Sequence, residues 1–128
     1  MPANEYLIDT NILIYHTSGS QVATNFISDL IAHHSFSISI LTKIEFLGWD
    51  QHTTDGFEKC KRLIETATVY PVDEHIANKA IDLKREKKIK LADAVIAATA
   101  LLNNLKLVTR NADDFKIIEG LEVVNIFE

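Results

Sequence analysis

Apolar and polar residues along this chain fall into two alternating patterns. Short alternating or β-branched apolar runs predict strands, and apolar positions three and four residues apart predict helices. The strand patterns lie at 6–8, 35–40, 68–72, 106–109 and 121–127. The helical patterns lie between them, at 12–16, 22–31, 41–50, 57–64, 73–88 and 91–102. This alternation predicts an α/β sandwich with a mostly parallel central sheet of four to five strands flanked by helices.

Three segments carry enough detail to predict more than their type. Asp9, Thr10 and Asn11 are good N-cap residues and predict a tight turn from the first strand into a helix. In the segment 22–31 the predicted apolar stripe is Val22, Ala23, Phe26, Ile27, Leu30 and Ile31. In the segment 73–88, Asp73 is the predicted N-cap. Its predicted buried side is Ile76, Ala77, Ala80, Ile81 and Leu83.

Composition limits the class of protein. With 128 residues, of which 47% are hydrophobic, the chain has material for a single domain over 1–128. Cys60 is the only cysteine, so no intramolecular disulfide is possible, and its simplest role is that of a small core residue. No segment has a signal-peptide pattern, and the longest apolar run, 94–102, is too short to span a membrane. We therefore expect a cytoplasmic protein with no membrane partner.

Acidic residues cluster near the ends of the predicted strands. Asp9 closes the first strand, Glu45 lies one helical turn beyond the second, and Asp93 opens the apolar helix before the fourth. Asp113 and Asp114 follow the fourth strand. The carboxyl ends of parallel strands form the usual ligand-binding edge of such a sheet. Each acid also has a structural interpretation: an N-cap, a solvated helix residue, a first-turn residue favoured by the helix dipole, or a turn residue.

Converging carboxylates repel one another and stay ionised only when a cation lies between them. Oxygen ligands suit Mg²⁺ or Mn²⁺, whereas zinc normally recruits Cys or His. The five histidines show no ligand spacing; they are His16, His33, His34, His52 and His75. A hard divalent ion in an acidic site most often acts on phosphates. The net charge of −5 argues against a broad basic surface for nucleic acid, but less so if a cation occupies such a cluster.

Four segments that carry or follow these acids form an ordered set of motifs. They are "LIDTNILIY", "SILTKIEFLGW", "LADAVIAATALLNNLKLVTRNADDF" and "IIEGLEVVN". In this order and at these separations they resemble the PIN domain, the metal-dependent ribonuclease fold of the VapC toxins of bacterial and archaeal toxin–antitoxin systems. The third segment is the most specific match. The resemblance covers nearly the whole chain and implies a PIN-like three-layer sandwich.

The resemblance also implies roles for particular residues. The implied catalytic residues are Asp9, Glu45, Asp93 and Asp114. Asp9, Asp93 and Asp114 would hold Mg²⁺, for which Mn²⁺ can substitute, and Glu45 would act through water. The fourth position stays open: Asn111 matches a polar position that is acidic in some members, and Asp113 is an additional acid whose simplest role is an exposed turn residue. The supporting polar residues are Thr10, Asn11, Thr109 and Asn111.

The partners implied by the resemblance are an RNA that is cut at few sites, a small antitoxin protein that plugs the acidic groove, and a second copy in a homodimer. Lys43 and Arg110 lie beside motif acids and are candidate RNA contacts. Lys87, Lys88 and Lys90 are further candidates for contact with RNA phosphates. Their structural interpretation is that they are solvated residues at helix ends. Tyr15 and Trp49 either stack on bases or pack in the core or a dimer interface, and packing is the favoured role.

Two other functions compete with a ribonuclease. The first is a PIN-like scaffold without catalytic activity, which the presence of all four acidic positions disfavours. The second is an α/β signalling module that resembles a phosphoacceptor receiver. A receiver needs an Asp at the end of its central strand and a Lys after its last strand. Neither is evident, because "SISILT" ends without an acid and "EVVNIFE" has no Lys.

Overall fold

The structure is a computed structural model that describes residues 5–128. The strands in this range are β1 (Tyr6–Ile8), β2 (Phe36–Ser39), β3 (Thr68–Tyr70), β4 (Lys106–Val108) and β5 (Val123–Val124). The helices are α1 (Thr10–Thr17), α2 (Gln21–Ala32), α3 (Ile40–Leu47), α4 (Thr54–Glu65), α5 (Glu74–Glu86), α6 (Leu91–Leu102) and α7 (Ala112–Phe115). Each predicted segment contains the predicted kind of element, and the four-residue α7 is an addition.

All five strands form one parallel sheet in the order β3-β2-β1-β4-β5. The chain builds outward from β1 to β3 and then returns to the other side of β1 with β4. The strand order therefore reverses between β1 and β4, where Ile8 pairs with Val108. The backbone N–H of Asp9 donates to the Val108 carbonyl at 3.0 Å, which extends this pairing by one step. Asp9 and Thr109 thus emerge side by side at the point where such folds bind ligands.

Helices cover both faces of the sheet. Leu7 of β1 and Leu107 of β4 point to one face, where they pack with apolar residues of α5 and α6. Ile8 and Val108, the next residues along, point to the other face and pack with α1, α2 and α4. Successive side chains of a strand alternate between faces, so two separate apolar layers form around one sheet. The predicted three-layer α/β sandwich is confirmed.

Side-chain caps fix the start of α2, α3, α4 and α5, in addition to α1, whose cap is Asp9. Ser20, Ser39, Thr53 and Asp73 each accept a backbone N–H from the first turn of the helix that follows. Such a cap contributes about 1 kcal/mol to stability. The predicted cap at Asp73 is confirmed. Cys60 is 6% exposed and belongs to the apolar cluster with α1, α2 and α4, so its predicted core role is confirmed as well.

Two residues of the predicted apolar stripes are exposed. Ile81 is 53% exposed, although the pattern placed it on the buried side of α5. The buried residues of α5 are Ile76, Ala80 and Leu83, and Ile81 lies about 100° around the helix from Ala80. Val22 is 47% exposed for a related reason, because Ala23, Ile27 and Leu30 define the buried face of α2. Within residues 5–128, none of the helices has both the length and the apolar content needed to cross a membrane.

Candidate active site

Asp9 stands at the carboxyl end of β1 and is the N-cap of α1. Its Oδ1 accepts the backbone N–H of Thr10 at 2.8 Å, as the cap interpretation predicted. Its Oδ2 accepts the Thr109 hydroxyl at 2.8 Å and the Asn11 side-chain amide at 3.3 Å. The residue is only 7% exposed. Capping therefore accounts for one carboxylate oxygen, and the other is held by residues that follow β1 and β4.

Asn11 and Thr109 tie the ends of these two strands together. The Asn11 amide also donates to the Thr109 hydroxyl at 3.2 Å, and its carbonyl oxygen accepts the backbone N–H of Arg110 at 3.3 Å. The backbone N–H of Asn111 donates to the same Thr109 hydroxyl at 3.1 Å. The predicted supporting residues Asn11, Thr109 and Asn111 thus lie in one hydrogen-bond network around Asp9.

Glu45 reaches this network from α3. Its Oε1 accepts the hydroxyl of Thr10, the fourth predicted supporting residue, at 2.7 Å. Glu45 is otherwise exposed, as the solvated-helix interpretation predicted. The Thr10 hydroxyl also lies 3.1 Å from the hydroxyl of Thr42, which is fully buried. The sequence pattern did not single out Thr42. Its position three residues before Glu45, on the same helix face, was the available signal.

Asp93 lies in the first turn of α6 and is half-buried. The N-cap of α6 is Lys90, which makes no side-chain cap hydrogen bond. Among the hydrogen bonds and ion pairs of the part of the chain that the structure describes, none involves the Asp93 carboxylate. A favourable place in the helix dipole remains, but a hydrogen-bonded cap does not explain this residue.

The candidates for the fourth position have different surroundings in the structure. Asp113 pairs with Lys116 at 2.7 Å, and both side chains are exposed. Asp114 is exposed on α7, and its charge raises the pKa of Asp93. Asn111 contributes its backbone N–H to the network around Thr109. Asp113 is therefore exposed, as expected, but it lies in the helix α7 rather than in a turn, and the charge of Asp114 acts on Asp93.

Burial and like charges both work against ionisation at this edge of the sheet. Burial raises the pKa of the Asp9 carboxyl to about 6, against the lowering effects of the Thr109 hydroxyl and the Thr10 backbone N–H. The charges of Asp93 and Glu45 raise it as well. Burial also raises the pKa of Asp93, and Asp114 and Glu45 add to that effect while Lys90 opposes it. Negative charge here lacks full compensation from the protein itself.

The donor set suits a hard divalent cation, because carboxylate and hydroxyl oxygens are the ligands such ions prefer. Within residues 5–128, however, no group of three or more His, Cys, Asp or Glu side chains is arranged to hold a metal ion as it stands. Asp9 is fixed by three hydrogen bonds. The Asp93 carboxylate is half-buried and the Asp114 carboxylate is exposed, and neither accepts a hydrogen bond or forms an ion pair among residues 5–128.

The predicted RNA contacts differ in their surroundings. Lys43 is exposed on α3, two residues before Glu45. The Arg110 guanidinium lies 4.9 Å from the ring centre of Tyr15 and 4.3 Å from that of Phe127. The guanidinium therefore lies over two aromatic rings, and none of its N–H groups makes a hydrogen bond or ion pair among residues 5–128. Tyr15 packs on Phe127 with ring centres 5.1 Å apart, so its favoured packing role is confirmed.

A groove of ≈ 630 Å³ opens beside Glu45 between α1, α3 and α4. Its lining includes Ile14, Phe46, Trp49, His52 and Leu63. Trp49 is 57% exposed and meets the His52 ring edge to face, with the ring centres 5.0 Å apart. An apolar surface thus adjoins the acidic end of the site, which the strand-end pattern alone did not predict.

Comparison with known proteins agrees with this arrangement. The family model of the PIN domain matches residues 6–121. Ribonuclease VapC10 from Mycobacterium tuberculosis is 31% identical over 121 residues, which cover 91% of this chain and 90% of that protein.

Solved structures give the same result. A toxin-antitoxin complex from Klebsiella pneumoniae matches with 33% identity and a TM-score of 0.78, over 96% of this chain and 98% of that one. A structure of VapBC-1 from nontypeable Haemophilus influenzae matches with 25% identity and a TM-score of 0.77, again over 96% and 98% of the two chains. The resemblance predicted from the four motifs is confirmed, and no receiver-like module is needed to explain the fold. The chain belongs to the PIN domain family.

Proposed function

We propose that this protein is a Mg²⁺-dependent endoribonuclease and the toxin of a toxin–antitoxin pair. The observation that carries the proposal is the position of Asp9. Its carboxyl is buried where the strand order reverses, and its pKa is raised by burial and by the charges of Asp93 and Glu45. Family membership and the 31% identity to Ribonuclease VapC10 support the same activity.

In this proposal, some residues hold the metal ion and others fix the orientation of Asp9. Asp9, Asp93 and Asp114 would hold Mg²⁺, for which Mn²⁺ can substitute. A bound divalent ion lowers the pKa of water and stabilises charge on a phosphodiester. The Thr109, Asn11 and Thr10 donors fix Asp9 in one orientation.

Glu45 has a different role in this proposal. Its carboxylate is exposed and is anchored by the Thr10 hydroxyl, so it accepts hydrogen bonds from water and orients a water molecule toward the phosphate. This is the role that the resemblance to the PIN domain implies for Glu45.

The RNA backbone would be held by Lys43 and Arg110. Both side chains are exposed and lie near the acidic residues. Lys43 is on α3 with Glu45, and the backbone N–H of Arg110 donates to the side-chain oxygen of Asn11. Local contacts of this kind suffice for a protein with a net charge of −5, because phosphate binding depends on the charges at the site.

The proposed protein partner is an antitoxin. The solved structures similar to this chain include a toxin-antitoxin complex and VapBC-1. The groove that opens beside Glu45 offers such a partner an apolar surface that adjoins the acidic residues. We also propose that the protein acts in the cytoplasm as a homodimer, and light scattering of the purified protein tests the oligomeric state.

Cleavage of RNA by the purified protein tests the enzymatic proposal. We expect cleavage with Mg²⁺ or Mn²⁺, none in EDTA, and none by Asp9→Asn, which also controls for contaminating nuclease. Undiminished cleavage in EDTA would contradict the metal dependence. A folded wild-type protein that cuts no RNA with either ion would identify an inert PIN scaffold instead.

Expression in cells tests the role as a toxin. We expect growth arrest when the protein is expressed alone, and relief when the product of a short neighbouring reading frame is expressed with it. Normal growth with abundant, folded protein would contradict this role even if RNA cleavage in vitro is confirmed.

A further inference from the structure

Thr42 is a fully buried residue of α3 that none of the roles described above uses. It precedes Glu45 by three residues, so the two side chains lie on the same face of the helix. Its hydroxyl lies 3.1 Å from the hydroxyl of Thr10, which in turn lies 2.7 Å from Oε1 of Glu45. The three side chains thus form a chain of contacts from the core to an exposed carboxylate.

The place of Thr42 in α3 accounts for its partner. A helical threonine hydroxyl commonly bonds a carbonyl one turn earlier in its own helix, but Thr42 is the third residue of α3 and no carbonyl of that helix precedes it by three or four positions. Thr99 of α6 does so, with its hydroxyl 2.7 Å from the Val95 carbonyl, and it is buried to the same extent as Thr42. The hydroxyl of Thr42 instead meets a residue of another helix, 32 positions away in sequence.

Counting protons gives the direction of these hydrogen bonds. The Thr10 hydroxyl has one proton. It donates this proton to the Glu45 carboxylate, because a short 2.7 Å distance to a charged acceptor marks the stronger hydrogen bond. The Thr42 hydroxyl must then donate its own proton to the Thr10 oxygen. A hydrogen bond donated to the Thr10 oxygen strengthens the hydrogen bond that Thr10 donates to Glu45. It also fixes the rotamer of the Thr10 side chain.

We propose that Thr42 is a positioning residue that orients Glu45 through Thr10; this inference rests on the proposed ribonuclease function. Glu45 makes no other hydrogen bond or ion pair in the described part of the chain, so the Thr10 contact sets the direction of an otherwise solvated side chain. Loss of the Thr42 proton frees the Thr10 hydroxyl to rotate away. The hydroxyl of Thr42, rather than its methyl group, carries the effect.

Paired substitutions separate these two parts of the side chain. Thr42→Val keeps the shape and removes the hydroxyl, whereas Thr42→Ser keeps the hydroxyl and removes the methyl group. We expect Thr42→Val to lower kcat for RNA cleavage in Mg²⁺ by about tenfold, the loss of roughly one hydrogen bond, with little change in KM. Thr42→Ser and the matched control Thr99→Val should stay within about twofold of wild type. A loss with Thr42→Ser equal to that with Thr42→Val would overturn the proposal.

A double-mutant cycle tests whether Thr42 acts through Glu45. In a Glu45→Ala background, Thr42→Val should cause no further loss of rate, because the acceptor at the end of the chain is gone. A full tenfold further loss would mean that Thr42 acts independently of Glu45. If Thr42→Val does not fold, Thr42→Ala takes its place, with Thr42→Ser still the control for lost packing.

A measurement without activity keeps this inference separate from the proposed function. Failure of the proposed function appears as wild-type protein that cuts no RNA. The ¹³C carboxyl resonance of Glu45, recorded in EDTA, still reports on its hydrogen bond. We expect it to move in Thr42→Val and to stay in place in Thr42→Ser and Thr99→Val. A resonance unchanged in Thr42→Val would overturn the positioning role.

Discussion

The Thr109 hydroxyl donates to Oδ2 of Asp9 across 2.8 Å, although 100 positions separate the two residues in sequence. The contact exists because β1 and β4 are adjacent parallel strands whose carboxyl ends meet at the reversal of strand order. Thr109 is fully buried, and Asp9 nearly so. The hydroxyl is therefore the main side-chain donor that favours the ionised form of a carboxyl that burial disfavours.

Removing this donor should change the ionisation of Asp9. Thr109→Val keeps the side-chain shape but loses the proton, so we expect the pKa of the Asp9 carboxyl to rise above its value of about 6. NMR titration of the Asp9 carboxyl in EDTA measures it. Thr109→Ser, which retains the hydroxyl, is the control. A pKa equal to that of wild type in Thr109→Val would mean that the hydroxyl does not stabilise the carboxylate.

Ionisation of Asp9 should also make the metal-free protein less stable as pH rises. The folded pKa of about 6 exceeds the reference value of 3.8, so between these values the unfolded chain has lost its proton while the folded protein retains it. Stability from this group is then fully present below pH 3.8 and is lost as pH rises to about 6. On the scale of 1.36 kcal/mol per pKa unit, the loss is about 3 kcal/mol.

The difference in unfolding free energy between wild type and Asp9→Asn, measured by denaturation in EDTA from pH 4 to 8, isolates this effect. Wild type should lose stability relative to the variant up to about pH 6 and then run parallel to it. Two parallel curves over the whole range would show that the carboxyl titrates normally in the fold.

Arg110 should stabilise the C-terminal segment through its contacts with Tyr15 and Phe127. We expect Arg110→Ala to cost about 1 kcal/mol of unfolding free energy, since a cation over half-buried aromatic rings contributes on that scale. Hydrogen exchange should speed up near Phe127. Arg62→Ala, on the exposed surface of α4, is the comparison. Equal stability of the two variants would show that the stacked arrangement contributes nothing.

Lys43 should contribute to RNA affinity through phosphate rather than base recognition. We expect Lys43→Gln to weaken RNA binding similarly for different sequences and to reduce the salt slope by about 0.7, the value for one contact to a single strand. Lys61→Gln, an exposed lysine of α4, provides the matched control. Binding curves that coincide for wild type and Lys43→Gln at every salt concentration would remove Lys43 from the interface.

The sequence predicted the parts of this structure that depend on local periodicity. Alternating strand and helix patterns predicted the sheet, and the strand ends predicted where Asp9 and Thr109 emerge. The exposure of apolar residues was predicted less well. Ile81 matches the helical period but lies outside the buried face of α5. The width of that face depends on the elements that pack against the helix, which the period alone does not show.

Contacts between distant segments could not be read from periodicity. The Thr42 to Thr10 contact and the stacking of Arg110 on Phe127 depend on how α1, α3 and the C-terminal segment pack in three dimensions. The choice among Asn111, Asp113 and Asp114 was open because the family motif matches more than one of these positions. In the structure Asp113 pairs with Lys116, and the charge of Asp114 raises the pKa of Asp93.

Asp93→Asn gives the most direct test of the acidic cluster as the functional site. Asn keeps the shape of Asp and removes one charge that burial, Asp114 and Glu45 already disfavour. We predict that the variant cuts no RNA in Mg²⁺, while in EDTA it melts at the wild-type temperature or higher. Asp113→Asn, which removes an exposed charge paired with Lys116, should cut at the wild-type rate. Wild-type cleavage by Asp93→Asn would contradict the assignment, because Asp93 would then be only a favourable residue in the first turn of α6.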